Sequence, residues 1–140
     1  MFQFLSLLYF FKLIALGALP SGAHAPELAA DCAQAQDAAL CEASRTSFRN
    51  DLRQAQDGDA AAQRNVALCL RNGCDGAVQE DPVLGCAWRI VILASGPTPV
   101  NRSDLQAFEQ ECGAMSLARR LAAEGQARVL ASPRARGIAP

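Results

Sequence analysis

Few residues in this chain carry the side chains of ordinary catalysis. It holds one histidine, His24, and one lysine, Lys12, both within the first 24 residues. With no histidine further along there is no Ser-His-Asp or Cys-His set. With no lysine after position 12 there is no Ser-Lys pair and no Schiff base. Paired carboxylates are the remaining route to acid–base work, and Asp75, Glu80 and Asp81 share one Gly/Asp-rich stretch. Asp81, however, stands before Pro82 where a helix needs a cap, and Asp75 suits a turn. The expectation is a chain with no catalytic set and no cofactor.

The six cysteines, Cys32, Cys41, Cys69, Cys74, Cys86 and Cys112, point to bridges rather than metal. No Cys-x2-Cys pair occurs, and no histidine lies among them, so the usual zinc spacings are missing. One bridge follows from geometry. A helix ending at Asn72 with Gly73 in the left-handed position puts Cys69 and Cys74 at the two meeting positions of a Schellman motif. Cys86 and Cys112 fall within two successive predicted helices, where a bridge would clamp neighbours. Cys32 and Cys41 remain. On one continuous helix they would stand ~13.5 Å apart, against the ~7 Å that a bridge tolerates between Cα atoms. Either the chain turns between them or the connectivity is different.

Cysteine of this kind belongs to an oxidising compartment, and the N-terminus reads as an export signal. Residues 1–19 are apolar except for Lys12 and a few uncharged polar residues, Pro20 breaks the run, and Ser21-Gly22-Ala23 offers small residues for a cut after Ala23. A cut after Ala25 would leave Pro26 next, which hinders cleavage. An uncleaved anchor is the alternative, although Lys12 interrupts the ~20 apolar residues that a span prefers. Removal of 1–23 leaves twelve arginines against fourteen acids, a net charge of −2, and no stable membrane span. That charge excludes a strongly basic nucleic-acid binder. With Phe48, Trp88 and Phe108 the aromatics left after residue 11, base-stacking platforms are excluded too. The expected location is periplasmic or secreted.

The elements that must hold these residues read as helices. Residues 26–44 are Ala-rich with weak caps, and 45–57 carry Phe48, Leu52 and Ala55 at helical spacing. Gly58 ends that stretch and Asp59 caps a helix over 60–72. After a loop, Asp81-Pro82 opens the most apolar helix, 82–95, expected to be the most buried. Gly96-Pro97-Thr98-Pro99 forces a loop, with a β-strand over Ile90–Leu93 as the rival reading for what precedes it. Ser103-Asp104-Leu105-Gln106 reads as a capping box for a helix to Gly113, and Ser116 caps a last helix that Pro133 stops. The prediction is an all-α domain over 24–132 of about six short helices in hairpin succession, disulfide-stapled, with a tail at 133–140.

The stretch from Gly58 to Gly96 resembles a Sel1-like repeat, a relative of the tetratricopeptide repeat. Gly58-Asp59-Ala60 matches the opening turn; Ala62, Asn65, Ala67 and Asn72-Gly73 match the first helix and its end. Gly76 and Val78-Gln79-Glu80-Asp81 match the loop, Gly85 the small position, Trp88 the buried aromatic, and Gly96 the closing glycine. Ala67 and Gly85 would let the two helices cross closely. The loop is longer than the family's around Cys74, Asp75 and Ala77, and Leu70 and Arg89 replace usual tyrosines. Flanking helices would form degenerate half-repeats, with disulfides offsetting the shortage of units. The resemblance implies a protein-protein interaction or adaptor module with a protein partner in the bacterial cell envelope. Arg64, Arg71 and Arg89 are the candidate contact residues, expected to be exposed. Cysteine-rich relatives linked to cell-wall recognition imply an alternative, a small exported enzyme or ligand-binding protein acting on cell-wall or β-lactam compounds. A permanent structural subunit is a third, and an exposed apolar patch beside Trp88 would favour it.

Overall fold

The computed structural model describes residues 28–95 and 100–132. The proposed signal 1–23, His24, Gly96 and the tail 133–140 lie outside them. The described chain is all-helical, with five α-helices: α1 Ala38–Gln56, α2 Ala60–Asn72, α3 Pro82–Ser95, α4 Arg102–Cys112 and α5 Leu117–Leu130. A 3-10 turn at Cys32–Gln34 precedes them. The expected count of six is corrected to five, because 45–57 is not a separate helix. No glycine or proline interrupts Ala38 to Gln56, and Asp37 supplies the cap that the Ala-rich stretch lacked, accepting from the Leu40 N–H at 2.9 Å.

The chain does turn between Cys32 and Cys41. Asp31 caps the 3-10 turn, α1 starts seven residues after it at Ala38, and the bridge closes with its Cα atoms 5.6 Å apart. Just before it, Leu28–Ala30 runs antiparallel to 77–79. Ala30 N–H donates to Ala77 O at 2.9 Å and Gln79 N–H to Leu28 O at 2.8 Å. The N-terminal strap and the α2–α3 loop therefore complete each other's backbone hydrogen bonds.

Caps place α2 and α3 as their sequence suggests. The Asp59 carboxylate accepts from Ala62 N–H at 2.7 Å, and Asp81 from Leu84 N–H at 3.0 Å. Gly73 is left-handed (φ 76°) and Cys69 pairs with Cys74. The cap is the simpler αL motif, not the Schellman motif: Gly73 N–H reaches Cys69 O at 2.8 Å, while Cys74 N–H turns to Asn72 Oδ1 at 3.1 Å. The left-handed backbone continues through Cys74, Asp75 and Gly76, with φ of 40°, 60° and 79°. For two non-glycine residues that conformation costs about 1–2 kcal/mol each. The Cys69 bridge and the Ser44 hydroxyl, which donates to Asp75 at 2.6 Å, hold it in place.

α3 is the centre, packed against α2, α4 and α5. Eight of its residues are buried, Trp88 among them at 1% exposure, alongside Phe48 and Leu52 of α1 and Ala62, Val66, Ala67 and Leu70 of α2. Gly85 does lie on α2, yet a methyl there would stand 3.5 Å from Ala67 O and from Leu70 Cβ, an ordinary contact. Close crossing therefore does not require glycine at this position. α4 starts earlier than expected: Asn101, not Ser103, is its cap, accepting from Asp104 N–H at 2.8 Å. Ser103 sits inside the helix and donates to Asn101. Ser116 caps α5 as expected. No helix of the described residues is long and apolar enough to cross a membrane.

Candidate functional site

The three arginines singled out from the sequence converge on one polar seam, where α2 and α3 meet α4. Arg64 of α2 holds Asp104 of α4 with a two-pronged fork, Nε to Oδ1 and Nη2 to Oδ2, both at 2.8 Å. One heptad along, Arg71 of α2 stands 3.7 Å from Glu111 of α4. Both pairs have the same sequence offset of forty, so α2 and α4 run in the same direction, bridged by long side chains rather than packed closely. Arg89 reaches across from α3 and takes both Glu111 oxygens, at 3.0 and 2.9 Å. The Cys86–Cys112 bridge joins the same two helices beside that pair.

Burial separates the three. Arg89 is 7% exposed, which corrects the expectation of an exposed contact residue. It is the partner that makes a buried Glu111 tolerable, since a carboxylate in the last turn of a helix faces the negative end of the helix dipole. Arg64 is partly buried and engaged through Nε and Nη2. Its hydrogen bonds hold the Asp104 carboxyl below the usual carboxylate range, against the opposing pull of burial. The same hydrogen bonds raise the Arg64 guanidinium further, so it stays charged. Arg71 differs: its side chain is half exposed, and among the described residues it makes no hydrogen bond. It lines a cleft of about 210 Å³ together with Pro82, Gly85, Gln110 and Glu111. Because Arg89 already occupies the Glu111 oxygens, the Arg71 fork is left to meet an incoming carboxylate.

Asp104 and Glu111 escaped the sequence reading. Their signal was present: two arginines seven apart on one helix and two acids seven apart on another share one step, and match across a seam of parallel helices. The acidic loop, by contrast, does not assemble. Asp75 is turned to Ser44, Asp81 to its own helix start, and Glu80 packs over Gly73. Among the described residues no group of three His, Cys, Asp or Glu side chains could hold a metal ion. A second hollow, about 340 Å³, lies between α3, α4 and α5, walled by Ile90, Leu93, Ala94 and Phe108 with Arg120 and Glu124 at its rim. Arg120 spends its Nη2 on the end of α4, donating to Cys112 O at 3.1 Å and Gly113 O at 3.2 Å.

No family model, curated protein or solved structure matches the chain.

Proposed function

We propose that this chain is an exported protein-interaction module of the cell envelope, built on one Sel1-like hairpin, α2–α3, with degenerate half-repeats flanking it. The observation that carries the reading is Arg71, a half-exposed guanidinium without a hydrogen bond beside a carboxylate already held by another arginine. The matched forty-residue offset between α2 and α4 supports a repeat. Pairing of all six cysteines supports an oxidising compartment. In this reading an acidic side chain of the partner enters the cleft and takes the Arg71 fork.

The test is a pull-down from envelope extract with the oxidised protein and its Arg71→Glu variant. The expected result is a specific protein retained by the first and lost by the second. No specific capture, together with measurable hydrolysis of a cell-wall substrate, would replace the module with an enzyme. Thiol titration of the exported protein under denaturing, non-reducing conditions should find no free thiol; six would remove the case for export.

A further inference from the structure

α5 is apolar on two opposite sides. Ala123 and Ala127 are buried against the rest of the chain. Leu117, Leu121 and Val129 face the other way and are 73%, 56% and 60% exposed. Positions 117, 121, 125 and 129 recur every four residues, so they form one stripe along the helix. Its third position is Gly125. Glycine inside a helix is about 1 kcal/mol worse than alanine. Among the described residues nothing outside the helix's own turn explains it, because a methyl added there would meet no atom of theirs within 4 Å. A gap in an apolar stripe that the fold itself does not use fits a knob from another molecule.

The stripe fits its own copy. Turned end for end about a two-fold axis, α5 sets Leu117 against the partner's Val129 and Leu121 over the partner's Gly125, each large side chain meeting a smaller one. The flank agrees. Glu124 and Arg128 are four apart on the helix, and the structure shows no ion pair between them. Helical side chains lean toward the N-terminus, so in the antiparallel pair Glu124 of each copy leans toward Arg128 of the other. We propose that α5 is a self-association face through which two copies of this chain pair two-fold, antiparallel, with Leu121 seated on Gly125. This surface is separate from the Arg71 cleft and leaves it open.

One helix face lies below the roughly 1,200 Å² of a standard interface, so the pair should be weak and dissociate on dilution. The test is sedimentation velocity on the purified, oxidised protein over a dilution series. The native protein should shift from one chain to two. Leu121→Glu should weaken association about tenfold or more. Gly125→Ala should raise Tm and yet weaken association, a split that a purely local role for the glycine would not give. Glu124→Arg should abolish pairing, and Glu124→Arg with Arg128→Glu should restore it. A protein that stays single at every concentration would overturn the proposal. So would a charge swap that fails to rescue, or a Gly125→Ala variant that associates as well as the native chain.

Discussion

α3 is flanked by α2 on one hand and by α4 and α5 on the other, and the two attachments rest on different physics. α2 and α3 meet through large apolar side chains, Val66, Leu70, Leu84 and Trp88, closed from the other side by Phe48 and Leu52 of α1. Burial of such side chains contributes about 1.5–3 kcal/mol each. In α4 the buried residues are Asp104 and Cys112, while Leu105 stays 48% exposed. That helix is fastened by a disulfide, two arginine forks and Arg120 at its end. α5 packs closely on α3, but with alanines, which bring backbones together and bury little area. The α2–α3 hairpin therefore stands on its core. α4 and α5 depend on charge and on an oxidised bridge; Phe108 and Leu130 pack partly against the core, while Leu105, Leu117, Leu121 and Val129 stay outside.

That contrast can be broken at either end. The largest effect is expected from Trp88→Ala, which empties the centre of the apolar half. It should cost about 3–5 kcal/mol in chemical denaturation and lower the stability of every element. Next, Cys86→Ala with Cys112→Ala should cost about 3 kcal/mol, lost mainly from α4 and α5. Asp104→Asn should cost about 1–3 kcal/mol by leaving the Arg64 fork half answered. Its pH behaviour is separable. The folded Asp104 carboxyl is held below its ordinary range, chiefly by the Arg64 hydrogen bonds. The stability it contributes is complete above the unfolded value of about 3.9 and is lost as pH falls through the lower folded value. Acid titration of stability should therefore lose that part of its slope in Asp104→Asn. The smallest change is Gly85→Ala. The added methyl makes ordinary contacts with Ala67 and Leu70, so Tm should rise with a gain of up to about 1 kcal/mol.

The apolar half was the legible half. Asp59 and Asp81 as caps, Gly73 as the left-handed stop, the Cys69–Cys74 bridge and the buried Trp88 all depend on local spacing. Local spacing misleads there too: α1 is one helix where two are expected, because its run contains no breaker and Asp37 caps it, and the Gly73 cap is the αL motif rather than the Schellman motif. The polar half was less legible because its organisation is non-local. Asp104 and Glu111 meet arginines forty residues away, and no periodicity within one helix announces such a pairing. The burial of Arg89 follows from Glu111 and so was hidden with it. At the start of α4, Asn101 and Ser103 are both good cap residues. With Asn101 as cap, α4 presents Asp104 to Arg64.

The apolar α2–α3 half and the clamped α4 and α5 thus differ in stability within one fold. Native-state hydrogen exchange, compared between the oxidised protein and the Cys86→Ala, Cys112→Ala variant, tests that difference most directly. Loss of the bridge should speed exchange in α4 and α5 by about a hundredfold, the equivalent of ~3 kcal/mol. Amides of α2 and α3 should retain most of their protection. Uniform loss of protection across all five helices would show one cooperative unit and contradict the account.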